Sequence, residues 1–125
     1  MPADFSIDAQ RRMVFSNATG VLTLSDALDH MDRLSRHPDF RPAYNQLFDF
    51  RKVTEIALSG DDIQEIAARN IFAPGSRRAF LVATGLQFGM ARMFATYRRF
   101  GGEQGISVFT DANKARSWVS LPDEA

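Results

Sequence analysis

Two histidines on one helical stretch, four dibasic pairs and a serine–glycine pair ahead of two aspartates are the side chains of this chain whose types could do chemistry. A histidine pair invites a metal or acid–base reading. His30 and His37, however, are seven residues apart, about 10 Å along a helix, too far to share a zinc ion. Asp26 and His30 would supply only two ligands from adjacent turns, and no third is in view. Asp29 with Arg33 and Asp32 with Arg36 are i,i+4 pairs, so the outer face of this helix reads as a solvated, charged surface. The dibasic pairs are Arg11-Arg12, Arg51-Lys52, Arg77-Arg78 and Arg98-Arg99. Arg77-Arg78 opens a strand and Arg98-Arg99 ends a helix running back along it, so both should share one end of the sheet with Arg36 and His37. An anion-binding rim is one reading; wet strand ends and arginines satisfying a helix dipole are the plainer one. Ser59 and Gly60 precede a helical pattern whose first turn carries Asp61 and Asp62. The Ser59 hydroxyl can cap that helix, and a phosphate placed on it would meet like charge. No nucleophile has a base nearby in sequence, and there is no glycine-rich phosphate loop and no metal triad. Carboxylates assembled in space, such as Asp49 and Glu55, are the remaining catalytic option. The expectation is a protein that is not an enzyme, with no cofactor and no metal.

The elements that position these groups must come from one domain spanning residues 1–125, long enough for a core without disulfide or metal staples. Fifteen basic residues balance fifteen acidic ones, which argues against nucleic-acid binding. There is no cysteine, no basic segment leading an apolar run, and no apolar block near the length of a membrane span. The default expectation is therefore a soluble, unprocessed, cytoplasmic protein.

Alternation at Phe5 and Ile7 and again over Met13 to Ala18 predicts an opening hairpin that ends at Gly20. Ser25 is expected to cap a helix running to about His37, where Pro38 stops it. Tyr44 to Phe50 reads as a strand, and Ile63, Ile66, Ala67, Asn70 and Ile71 mark a second helix face. Ala79 to Ala83 is an apolar strand expected to be innermost in the sheet. A third helix from about Leu86 to Phe100, a strand over Ile106 to Phe109 and a short helix capped by Asp111 complete the order ββαβαβαβα. The fold class is α/β: a mixed five-stranded sheet with only the first strand antiparallel, and four helices.

Three stretches carry a family likeness: G-V-L-T-L-S-D-A-L-D-H-M-D-R-L at Gly20 to Leu34, L-F-D-F-R at Leu47 to Arg51, and F-G-M-A-R-M-F at Phe88 to Phe94. Together they resemble the SpoIIAA-like branch of the STAS family. The resemblance implies a β-α superhelix with no cofactor and no catalytic residues, in proteins that mostly lack an assigned activity. Better-known STAS relatives bind a partner protein and are switched by phosphorylation of a serine in an Asp-Ser-Ser-Gly turn opening the helix after the third strand. Ser59-Gly60 falls at that place, with Ala57 and Leu58 where the family turn has its acidic residue and first serine.

The third helix is the most informative element. Leu86, Met90, Met93, Phe94 and Tyr97 form one apolar face, and Phe88, Ala91 and Ala95 form a strip on nearly the opposite side, flanked by Arg92 and Arg99. One sheet cannot cover both, so Phe88, Arg92, Ala95 and Arg99 are candidates for a dimer or ligand surface. Eleven phenylalanines in 125 residues imply either a phenylalanine-rich core or an apolar pocket. The favoured function is a binding or regulatory domain acting through a protein partner or its own dimer. The alternative is a carrier of an apolar small molecule, a lipid or acyl chain, with an arginine such as Arg92 meeting its acid group.

Overall fold

The computed structural model describes residues 3–83, 85–100 and 105–121, excepting the side chains of residues 99 and 100. Its elements are β1 (Ala3–Asp8), β2 (Met13–Thr23), α1 (Leu24–Arg36), β3 (Asn45–Ala57), α2 (Gly60–Ala68), β4 (Arg78–Leu81), α3 (Gly85–Phe100), β5 (Ile106–Phe109) and α4 (Ala112–Val119). This is the expected order. The five strands lie across the sheet in the order in which they occur in the chain; β1 is antiparallel to β2 and all other pairs are parallel. Each crossover moves one strand in the same direction. With the right-handed sense such connections take, α1, α2 and α3 all fall on one face. α4, which follows the last strand, covers part of the other.

Side-chain alternation divides the sheet accordingly. Phe48, Phe80 and Ile106 point toward α1–α3, where Ile63 and Ile66 of α2 and Ala91 and Phe94 of α3 meet them. Met13, Leu47 and Ala79 point the other way, onto Ala115 and Val119 of α4.

Several expectations need correction. Gly20 does not end β2. Its φ of +68° lies in the left-handed region that glycine tolerates, and the β2–β3 register shifts between it and Val21, so it marks a bulge inside a longer strand. The cap of α1 is therefore Thr23, two residues before Ser25, in a reciprocal capping box with Asp26. β3 continues past Phe50 to Ala57 because its outer half pairs with the prolonged β2. Position in the sheet makes β3 the central strand rather than β4, although all four residues of β4 are buried.

Candidate functional site

The face between the sheet and α1–α3 is not fully packed. A cavity of about 100 Å³ runs there, walled by Leu22, Met31, Ile63, Ile66 and Met90 and by five of the eleven phenylalanines, Phe48, Phe50, Phe72, Phe80 and Phe94. The rings brace one another: Phe48 stacks on Phe50 at 4.2 Å, Phe80 stacks on Phe94 at 5.5 Å, and Phe50 meets Phe80 edge-on at 5.4 Å. Rigid rings in fixed contact cannot collapse to fill the remaining space. Both sequence readings of the phenylalanines thus hold, since the same residues are core and lining.

Five polar side chains also line this space: His30, Gln46, Arg78, Gln87 and Arg98. Each is buried. His30 corrects the solvated-face reading of α1, because it points inward while Asp29–Arg33 and Asp32–Arg36 pair outside as expected. Its Nε2 lies 3.0 Å from Ser16 Oγ, and that oxygen accepts from Gln46 Nε2 at 3.0 Å. The Ser16 proton is thus left to donate to His30, which fits a neutral ring accepting at Nε2. Burial, with the Arg33 charge adding and Asp4 and Asp29 opposing, pushes His30 down to about 4. His37 is only half-buried and accepts from the Asp39 amide at Nδ1, so the two histidines share no site.

Arg78 and Arg98 correct the wet-rim reading. They do share one end of the sheet, but inside it, at 1 % and 5 % exposure. The Arg78 guanidinium lies over Phe72, 5.1 Å from the ring centroid, and that of Arg98 over Phe94 at 4.5 Å. Burial, with the Arg98 charge adding, lowers Arg78 to about 9; burial alone takes Arg98 to about 10. Both therefore stay cationic at neutral pH. Gly105 makes room for Arg78: a Cβ there would stand 2.6 Å from Arg78 Nη2 and would clash with the Ser76 carbonyl oxygen. Toward the other end of α3, Gln87 donates to the Val53 carbonyl at 2.5 Å. Its Oε1 is buried with no hydrogen-bond partner among the described residues.

The remaining predicted residues are dispersed. Ser59 caps α2 as expected: its Oγ accepts from the Asp62 amide at 3.1 Å, and Asp62 returns the bond to the Ser59 amide at 3.0 Å. Gly60 is the first residue of that helix and is exposed. On α3, Ala91 and Ala95 are buried against the sheet, whereas Leu86, expected on the core face, is 59 % exposed. Phe88 is half-buried, with the Arg92 guanidinium 5.5 Å from its ring centroid. The side chain of Arg99 lies outside the described residues. Asp49 is paired: Arg51 Nε and Nη2 reach its two oxygens at 3.0 and 2.9 Å. Burial works to raise Asp49, but the bonds and charge of Arg51, with Lys52, outweigh it and hold the carboxyl below its usual value. Asp49 stands within β3, and Glu55 is six residues further along it, about 20 Å, so these two carboxylates form no common site. Among the described residues no three histidine or carboxylate side chains could hold a metal ion, and no helix is long and apolar enough to cross a membrane.

The fold has a solved counterpart. The chain superposes on the crystal structure of an uncharacterized protein of the DUF3478 family with a SpoIIAA-like fold, from Shewanella loihica PV-4, with a TM-score of 0.63 over 94 % of this chain and 93 % of that one. The fold is SpoIIAA-like. At 18 % identity the likeness shows architecture alone. No family model matches the sequence, and no curated protein does either. The SpoIIAA-like scaffold explains why the strands follow one another across the sheet. The polar groups facing the cavity come from α1, β3, β4 and α3. What could have flagged them is the spacing Gln87, Ala91, Phe94, Ala95, Arg98, which follows one helical face whose two ends are polar.

Proposed function

We propose that this domain binds a small apolar molecule in the space between the sheet and helices α1–α3, without catalysing its conversion. The observation that carries the reading is the cavity itself, lined by braced aromatic rings and aliphatic side chains. Its volume of about 100 Å³ is of the order of an engineered apolar cavity, roughly 150 Å³, that stays dry and takes up benzene. The Gln87 oxygen, with no hydrogen-bond partner among the described residues, adds a second reason, because a buried acceptor is ordinarily satisfied by a ligand or a water. Native mass spectrometry of gently purified protein should show an adduct that organic extraction removes. Toluene added to the extracted protein should raise its melting temperature and shift the methyl resonances of Ile63 and Ile66. Ala91→Phe, which fills the cavity, should abolish both effects. A protein whose spectrum and melting temperature ignore toluene overturns the reading.

A second reading, action through a protein partner or a homodimer, is favoured by the outer side of α3. There Leu86 is largely exposed and Phe88 only half-covered, beside Arg92. Phe88→Glu should then give a folded monomer by light scattering and circular dichroism. An unchanged mass removes Phe88 from any self-contact. The Ser59–Gly60 turn is a further candidate contact under this reading, and Ser59 needs no phosphate to explain its place as a cap.

A further inference from the structure

Gln87 combines burial with a hydrogen bond still to be made. It is 5 % exposed on α3 and lines the cavity, and its Nε2 donates to the Val53 carbonyl at 2.5 Å. That carbonyl belongs to the outer half of β3, beyond Asp49, where β4 no longer pairs with the strand. The bond also sets the orientation of the amide: turning the group over would bring its oxygen against the Val53 oxygen, two acceptors face to face. Oε1 is therefore the atom left over, buried and with no hydrogen-bond partner among the described residues. We propose that the ligand is a compact, neutral molecule carrying a hydroxyl on an apolar body, a phenol or an alcohol, whose O–H donates to Gln87 Oε1. This rests on the apolar-ligand reading above and gives it a chemical class.

The surroundings of Oε1 favour a donor mounted on carbon over a free water. Val53 belongs to an apolar cluster with Leu22, Phe50, Ile56 and Leu58, and these four side chains also line the cavity. A buried water ordinarily makes about three hydrogen bonds, and such walls offer it few. An acceptor kept among hydrocarbon groups without a donor bears its whole desolvation cost, and a ligand hydroxyl that reaches it removes that cost. The same geometry discriminates between ligands. An ether or an ester, with acceptors only, would set oxygen against oxygen, and a hydrocarbon would leave Oε1 as it is. Gln87 is neutral, so recognition here depends on the direction of one donor rather than on charge. The volume of about 100 Å³ limits the body to about one small ring, on the scale of the engineered cavity that takes up benzene.

The test compares phenol with toluene, which have the same number of heavy atoms and differ in whether a hydroxyl or a methyl group stands on the ring. Without an acceptor, burying the hydroxyl would leave phenol about tenfold or more weaker than toluene. Titrated into extracted protein at pH 7 and followed by calorimetry, phenol should instead bind at least as tightly as toluene. Gln87→Met, which keeps the length of the side chain and removes Oε1, should weaken phenol about tenfold while toluene stays within about threefold. If that variant fails to fold, the side-chain amide resonances of Gln87 in the unaltered protein decide the matter: phenol should move them well beyond the shift that toluene causes, and equal shifts overturn the assignment. Phenol binding weaker than toluene, or unaltered in Gln87→Met, overturns the hydroxyl donor but leaves the apolar cavity site standing. Failure of phenol and toluene alike overturns the cavity reading itself.

Discussion

On the α4 side of the sheet, Ala79 and Ala115 are both fully buried, and helix and strand meet through small side chains. On the α1–α3 side, Phe48, Phe50, Phe80 and Phe94 stand between helix and sheet, and open space remains among them. Both faces are apolar, and both are built on the same strands. The difference lies in what the helix brings. α4 packs Ala115, Val119 and Trp118 on the sheet, with a more polar groove between Val119 and residues 11–13 beside them, whereas the inward side of α3 offers Gln87, Ala91, Phe94, Ala95 and Arg98. Two alanines leave gaps beside rigid rings, and the Gln87 Oε1 at one end is buried with no hydrogen-bond partner among the described residues. A face that departs from close packing in this way is where a ligand has room.

The largest expected effect that would sharpen this contrast is on pH dependence. The His30 pKa is about 4 in the folded protein, below its ordinary 6.5, so the unfolded chain binds more protons between these values. The stability this histidine contributes is complete above about pH 6.5 and is lost as pH falls toward 4, a loss of about 3 kcal/mol. Urea denaturation at a series of pH values should show this slope, and His30→Gln should flatten it. An unaltered slope would mean that the cavity side is no drier than the surface. The carboxyls of Asp4, Asp49 and Asp111 are also lowered, but they act further down, below their ordinary value of 3.8.

The next effect is a change of sign between the faces. Ala115→Leu forces extra carbons into the closed α4 contact and should cost about 2 kcal/mol. Ala91→Leu places the same carbons at the edge of the cavity and should be neutral or stabilising by up to about 1 kcal/mol. Chemical denaturation of the two variants side by side measures this, and equal losses would contradict an open α1–α3 face. The smallest effect belongs to neither face. Ser59→Ala removes the cap of α2 and should lower stability by about 1 kcal/mol while leaving probe binding intact.

How far the sequence could be read differs between these regions for identifiable reasons. Element order and strand direction were legible, because hydrophobic period and crossover length determine them locally. The extent of β2 and β3 was not: Gly20 looks like a terminator until its left-handed φ and the adjacent register shift show it to be a bulge. Lys52, Thr54 and Glu55 look like loop residues until their exposed positions in a two-stranded extension are seen. The cap at Ser59 could be read because the residues concerned are three apart. The cavity site could not, because His30, Arg78 and Arg98 are of types that usually face water, and only tertiary placement turns them inward. The helical period of α3 is plain in the sequence but its rotation about the axis is not, since Leu86 outweighs Ala91 and Ala95 in hydrophobicity while Gln87 and Arg98 count against the true inner face.

The order β1-β2-β3-β4-β5 across the sheet has one further consequence, for the chain as it is synthesised. Each strand after the first pairs with the strand made just before it, so no gap must be held open for a segment still to be translated. The sheet lengthens strand by strand as residues emerge, and α3, which encloses the aromatic space, arrives only after four of the five strands.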